Sequence, residues 1–385
     1  MRISVVSAAL VASLVGFGST VALVLSAAAA LGATPAQTAS WLLAVSLAKA
    51  VGSAVLSYAT RVPVVLAWST PGAALIAATS GVTMPQAVAA FALAGVLVIL
   101  TGAIKPLGHL VAMIPDGVAA AMLAGVLLPF CLRGALTVQA APILILPMVA
   151  VLLIVRLFNP AVAVLAALGL GLALAFGTGA AGLPELALPF PAFTFIPPEY
   201  DLAVLLGLGV PIYLVTMASQ NLPGFAVLRA AGYAPPVRPA LLVTGALSAV
   251  SAFVGAHMVN MAAITAAICL GDDVHPDKAQ RWKVGLAYAG FWVLLGLLAP
   301  LIITLLAALP PEVMVALVGL ALLSPLMGAL AGAFAVQDQR FSATVTLAVT
   351  ASGVAAFGIG AAFWGLLAGL AVFGLERPKR QGQIR

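Results

Sequence analysis

Two polar interruptions break an otherwise apolar chain: Trp68-Ser69-Thr70-Pro71-Gly72 and Gly255-Ala256-His257-Met258-Val259-Asn260-Met261. In the first, Ser69 or Thr70 can cap a helix that begins near Pro71, because a hydroxyl accepts a backbone N–H and proline suits the first helical position. Asn260 is the matching candidate cap in the second. Two helix N-termini meeting at mid-membrane present free N–H donors and partial positive charge, the chemistry of an anion site. Thr70, Gly72 and Asn260 are therefore candidate anion contacts. The competing reading of the first break is a proline kink tolerated by neighbouring helices.

A third polar group, Thr216-Met217-Ala218-Ser219-Gln220-Asn221, lies inside another apolar run. Ser219, Gln220 and Asn221 are candidate ligand contacts, against the plainer role of interhelical hydrogen-bonding. Of three histidines, His109 and His275 fall near expected loops, so only His257 is deep in an apolar segment. An ordinary imidazole titrates near pH 6.5, about the middle of the physiological range, which makes His257 the candidate proton carrier. Lys49, in mid-segment, is its rival, since a charge there must face protein or water unless its stem reaches the interface. Asp116 and Glu312 open expected helices, where a carboxylate complements the helix dipole. The sequence has no His-Glu-x-x-His, P-loop or Gly-x-Ser-x-Gly pattern, and no cofactor is expected beyond a proton as coupling ion.

The elements that must position these residues follow from composition. The chain of 385 residues is 64% hydrophobic and only 7% charged, against roughly 25% charged in a soluble domain. Apolar stretches of membrane-spanning length recur between short Pro, Gly or charged breaks, the signature of helices rather than of a barrel. Fourteen segments are expected, at 4–30, 37–59, 63–79, 85–103, 112–132, 140–158, 161–181, 202–231, 239–254, 256–270, 284–308, 312–334, 341–357 and 359–375. The first is too long for a signal-peptide apolar core and reads as an uncleaved helix. The third and tenth are short and broken, each a brief extended piece joined to a half-helix. Cys131 and Cys269 sit within apolar segments and behave as small hydrophobes. The net charge of +6 comes without a basic run interleaved with aromatics, so no nucleic-acid partner is expected.

Basic residues sort by loop. With the N-terminus inside, Arg61, Lys105, Arg156, Arg229, Arg238, Lys278, Arg281, Arg340 and the tail through Arg385 fall on the cytoplasmic side and only Arg133 outside, while the 182–201 connection carries Glu185, Glu199 and Asp201 and no Lys or Arg. Short cytoplasmic loops collect Lys and Arg. Both termini are therefore expected in the cytoplasm. Seven segments per half force opposite orientations on the halves, so the expected architecture is an all-α 7+7 inverted repeat: 1–183, a linker 184–201, 202–376 and a basic tail 377–385. Broken segments at matching places in such repeats mark a carrier's binding site.

Ala67-Trp68-Ser69-Thr70-Pro71-Gly72-Ala73-Ala74, Met217 through Gly224, and Ala262 through Cys269 resemble the BenE family of benzoate:proton symporters. The similarity covers nearly the whole chain. It implies proton-coupled import of benzoate or a similar aromatic carboxylate across a bacterial inner membrane. The plan is also similar to the nucleobase and sulfate transporter fold, which implies a core of segments 1–4 and 8–11 moving against a gate of segments 5–7 and 12–14. In that fold substrate lies between the broken segments, matching Thr70, Gly72, Ser219, Gln220, Asn221, His257 and Asn260 here. Nucleobase carriers use glutamates in the eighth and tenth segments, where this chain is neutral, and a neutral pocket suits a carboxylate. Another small anion, a nucleobase, an anion channel and a membrane-embedded enzyme stand as alternatives. The expected partners are the substrate and the lipid bilayer, with a homodimer allowed.

Overall fold

The structure, a computed structural model, describes residues 2–104, 114–182, 184, 191–357 and 359–381; Lys105, His109, Glu185 and Arg385 lie outside them. Helices follow the apolar runs because backbone polar groups in lipid have no water to bond and must be satisfied within the protein. The first half contains α1 (Ile3–Gly18), α2 (Val21–Ala30), α3 (Pro35–Thr60), β1 (Leu66–Trp68), α4 (Thr70–Ala77), α5 (Met84–Ala103), α6 (Asp116–Ala140), α7 (Pro142–Phe158) and α8 (Ala163–Gly177). The second contains α9 (Leu202–Ala230), α10 (Val237–Ala252), β2 (Val259–Met261), α11 (Ile264–Ile268), α12 (Lys283–Leu297), α13 (Ala299–Ala307), α14 (Pro311–Ala335), α15 (Arg340–Ala351) and α16 (Ala361–Gln381).

Among the described residues, six helical stretches are long and apolar enough to cross a membrane, α1 and α2 together counting as one, and α12 with α13, bent by 56°, makes a seventh. The other expected segments are shorter helices or strand–helix pairs. Two boundaries differ from expectation. Helix α6 continues past 132 to Ala140, because Arg133 is on its exposed face and the break waits for Pro142 at the start of α7. Helix α15 stops at Ala351 rather than near 357, where Gly353 turns the chain with φ of +70°.

Packing between the halves is reciprocal. Helix α3 packs on α12, and its counterpart α10 packs on α5; α6 packs on its own counterpart, α14. The α6 and α14 helices even carry their internal prolines, Pro129 and Pro325, at the same offset from Asp116 and Glu312. The architecture is a helical, polytopic inverted repeat.

At its centre β1 and β2 pair antiparallel, with Leu66 opposite Met261, Ala67 opposite Asn260 and Trp68 opposite Val259. Strand backbone inside a membrane needs partners on both edges. Serines on the flanking helices supply them: Ser53 and Ser57 of α3 accept the N–H groups of Leu66 and Val64, and Ser248 of α10 accepts that of Val259 at 2.9 Å. The described part of the linker lies across one end of this assembly, with the Ile196 N–H on the Phe253 carbonyl and that of Glu199 on Pro85.

Candidate functional site

A cavity of about 900 Å³ lies beside the strand pair, at the upper end of the roughly 300–1,000 Å³ usual for ligand pockets. One wall comes from α1, α3, β1, α4, α9, α11 and α12; the facing wall comes from α6, α8 and α14. It runs from buried Lys49 and Trp68 to exposed Asp116 and Asn159, and so opens at the end of the bundle where the Gly117 N–H meets Gln339 Oε1 at 2.7 Å.

Ser69 caps α4: its Oγ accepts the Gly72 N–H at 3.1 Å and is hydrogen-bonded to Thr216 Oγ1 of α9 at 2.7 Å. Thr70 and Pro71 line the cavity directly in front of this cap. Gly72 does not. A Cβ there would meet Ser69 Oγ at 2.8 Å and Ile212 Cγ2 at 3.6 Å, so the position faces protein rather than an approaching anion.

Helix α9 is interrupted by two π turns, Leu205–Gly209 and Met217–Asn221. Each has a proline just beyond it, and a proline ring displaces the carbonyl four residues before. Those carbonyls belong to Gly207, ahead of Pro211, and Ser219, ahead of Pro223, both inside the π turns. The second turn carries Ser219 and Gln220 onto the cavity wall. Asn221 points the other way, fully buried, its Oδ1 accepting the Met261 N–H at 2.9 Å and so fastening α9 to β2.

His257 and Asn260 are completely buried behind the wall. Trp41 Nε1 reaches His257 Nδ1 at 2.9 Å. Asn260 is not a helix cap as the sequence suggests. It occupies the middle of β2, and α11 starts after Ala263, which has no side chain to cap with. Neither amide atom of Asn260 has a hydrogen-bond partner among the described residues.

The structure thus brings Thr70, Ser219 and Gln220 together on one surface and sets Gly72, Asn221, His257 and Asn260 behind it. It also brings in residues outside those motifs. Thr20, in the break between α1 and α2, lines the cavity and accepts the Trp68 indole N–H at 2.7 Å; the polar step Gly18-Ser19-Thr20 was its visible signal. Tyr288 lines it too, its hydroxyl donating to the Leu66 carbonyl at 2.8 Å. Lys49 supplies the cationic end of the cavity and Asp116 the acidic mouth. Among the described residues no three His, Cys, Asp or Glu side chains converge as a metal site requires.

A family model described as benzoate membrane transport protein, BenE, matches residues 1–375. The inner membrane protein YdcO of Escherichia coli is 40% identical over 363 residues, covering 94% of this chain and 93% of the relative. The benzoate membrane transport protein of Acinetobacter baylyi is 36% identical over 342 residues, covering 88% and 87%. Among solved structures, the transmembrane domain of a cyanobacterial bicarbonate transporter, BicA, superposes with a TM-score of 0.64 at 16% identity over 96% of this chain and 97% of that one. The murine Solute Carrier 26 anion transporter Slc26a9 in its inward-facing state gives 0.63 at 13% identity, over 99% of this chain and 69% of that one. At such identities these two show the shared fold alone. The match along nearly the whole length, with the helical inverted repeat, makes this chain a multi-pass membrane transport protein of the BenE benzoate membrane transport family.

Proposed function

We propose that the protein imports benzoate or a similar aromatic carboxylate together with protons, by alternating access. The observation that carries this reading is the cavity between two walls built from different helix groups. Helices α1–α5 and α9–α13 form the core and α6–α8 and α14–α16 the gate. Rocking one against the other closes the mouth at Asp116 and opens the opposite end. With the orientation expected from the basic residues, the present mouth is cytoplasmic and the conformation inward-open.

The lining suits a flat ring bearing one charge. Leu123, Leu127 and Ala321 on the gate supply apolar surface, while Thr70, Ser219, Gln220 and the capped start of α4 supply polar contacts on the core. Gly72 serves indirectly, by keeping the Ser69 cap intact. Asn221 and Asn260 hold or border the strand pair, and His257 takes the proton one layer behind the substrate.

Uptake of labelled benzoate into proteoliposomes, with and without an imposed pH gradient, tests the reading. Saturable accumulation that depends on an inward proton gradient supports it. Non-saturating flux indifferent to the gradient would indicate a channel, and chemical conversion of the benzoate an enzyme.

A further inference from the structure

Lys49 is the feature that packing alone leaves unexplained. It lies midway along α3 and is 1% exposed. Its Nζ stands 2.9 Å from the ring centroid of Trp292 and 4.3 Å from that of Trp68. Phe17 and Tyr288 complete the aromatic surround, each with its ring centroid within 6 Å of Trp292. Cation–π contact stabilises an ammonium by about 2 kcal/mol or more when desolvated, well short of the several kcal/mol that removing such an ion from water costs. A carboxylate would make up the difference. None is buried among the described residues. The charge is nonetheless not sealed away, because Lys49 forms part of the cavity wall beside Thr20, Trp68 and Thr70.

We infer that Lys49 is the fixed counter-charge for the substrate's carboxylate, held ready by Trp68 and Trp292 until an anion arrives. This rests on the reading of the cavity as a carboxylate site and assigns the residue that selects the charge. The aromatic box keeps the ammonium extended toward the cavity without neutralising it, so little reorganisation is needed when the anion binds. The start of α4, two residues beyond Trp68, borders the same space, with Thr70 and Pro71 in the cavity wall. The substrate ring then lies toward the apolar gate wall.

The test uses purified protein in detergent, with benzoate and its uncharged isostere benzamide as probes in isothermal titration calorimetry. Unaltered protein should prefer benzoate. Lys49→Met, which keeps the length of the side chain and removes the charge, should weaken benzoate binding by about thirtyfold or more, the loss typical of one partner in a buried charge pair. It should leave benzamide within a few-fold, so that the preference collapses, an outcome that general structural damage would not produce. Lys49→Arg should keep the preference. Intrinsic tryptophan fluorescence gives a readout without mutation: benzoate should change the emission as the ammonium leaves the indole face, and benzamide should not. Undiminished preference in Lys49→Met, or equal fluorescence responses to the two probes, overturns the assignment of Lys49. Failure of the unaltered protein to bind benzoate at all overturns the carboxylate reading and this inference with it.

Discussion

Trp41 donates its indole N–H to His257 Nδ1 at 2.9 Å, across 216 positions of the chain. Indole is a donor only, so Nδ1 is the acceptor and the neutral imidazole carries its proton on Nε2. His257 can therefore take a second proton only by giving up the Trp41 bond. His257→Gln offers an amide oxygen to Trp41 but cannot titrate. It should retain benzoate exchange across the membrane and lose accumulation driven by a proton gradient. Gradient-driven accumulation at the unaltered rate would move the proton to another group.

Lys49 lies about two turns along α3 from Trp41, the hydrogen-bond partner of His257, and its positive charge opposes a second proton there. A carboxylate seated at Lys49 offsets that positive charge and so favours proton uptake at His257; linkage requires the proton to favour the carboxylate equally. Benzoate affinity should rise as pH is lowered from about 8 to about 6. Calorimetric titration across that range checks it. The dependence should vanish in His257→Gln, and a flat profile in the unaltered protein would remove the proposed coupling.

Asn260 should cost stability where it stands. A buried amide without partners carries a penalty of about 1–3 kcal/mol. Asn260→Leu, similar in volume, should therefore raise the melting temperature in detergent while impairing transport, if the amide serves the moving or loaded state. A melting temperature lowered by several degrees would mean that the amide is satisfied in the resting protein.

Gly72→Ala separates a cap from a contact. Its Cβ would press on Ser69 Oγ at 2.8 Å and Ser69 Cβ at 3.0 Å, disturbing a cap worth about 1 kcal/mol. Benzoate affinity should drop several-fold, and Ser69→Ala should reproduce most of that drop. An effect of Gly72→Ala fully additive with Ser69→Ala, measured in the double variant, would show that the glycine acts on its own.

Single cysteines at Tyr200 and Asp273, both exposed, should label from opposite faces of the membrane with an impermeant thiol reagent. The native Cys131 and Cys269 are buried and give little background. Labelling of both from one side would contradict the orientation drawn from the basic residues.

Much of this fold is legible in sequence because lipid removes alternatives: apolar length gives helices, and the two polar breaks locate the strand–helix pairs. Ser69 as a cap and the Ser219–Gln220 surface follow from local rules that act within a few residues. Lys49 reads in sequence as a mid-segment charge and rival proton carrier, because its place against Trp68 and Trp292, which arrive from two other segments, is not written locally. Gly72, Asn221 and His257 stand on the site by residue type and by the resemblance alone. Side-chain direction decided otherwise, and direction depends on helix phase and strand register. The π turns of α9 were in principle readable from Pro211 and Pro223, but a proline in an apolar run signals a kink as readily as a widened turn.

The pairing of β1 with β2 has a consequence for how the protein is made. Leu66 finds its partner, Met261, 195 residues later in the chain, and a ribosome adding about 5–20 residues per second needs roughly 10–40 s to supply it. Until then the first strand has only the serines of α3 to bond with, and its free edge sits in or beside the insertion machinery. Ribosome-stalled chains ending near residue 240 should remain open to protease or amide exchange at residues 64–68, and chains extended past residue 300 should be protected there. The first half of the protein is thus inserted early but finished late, when the second strand arrives to close the pair.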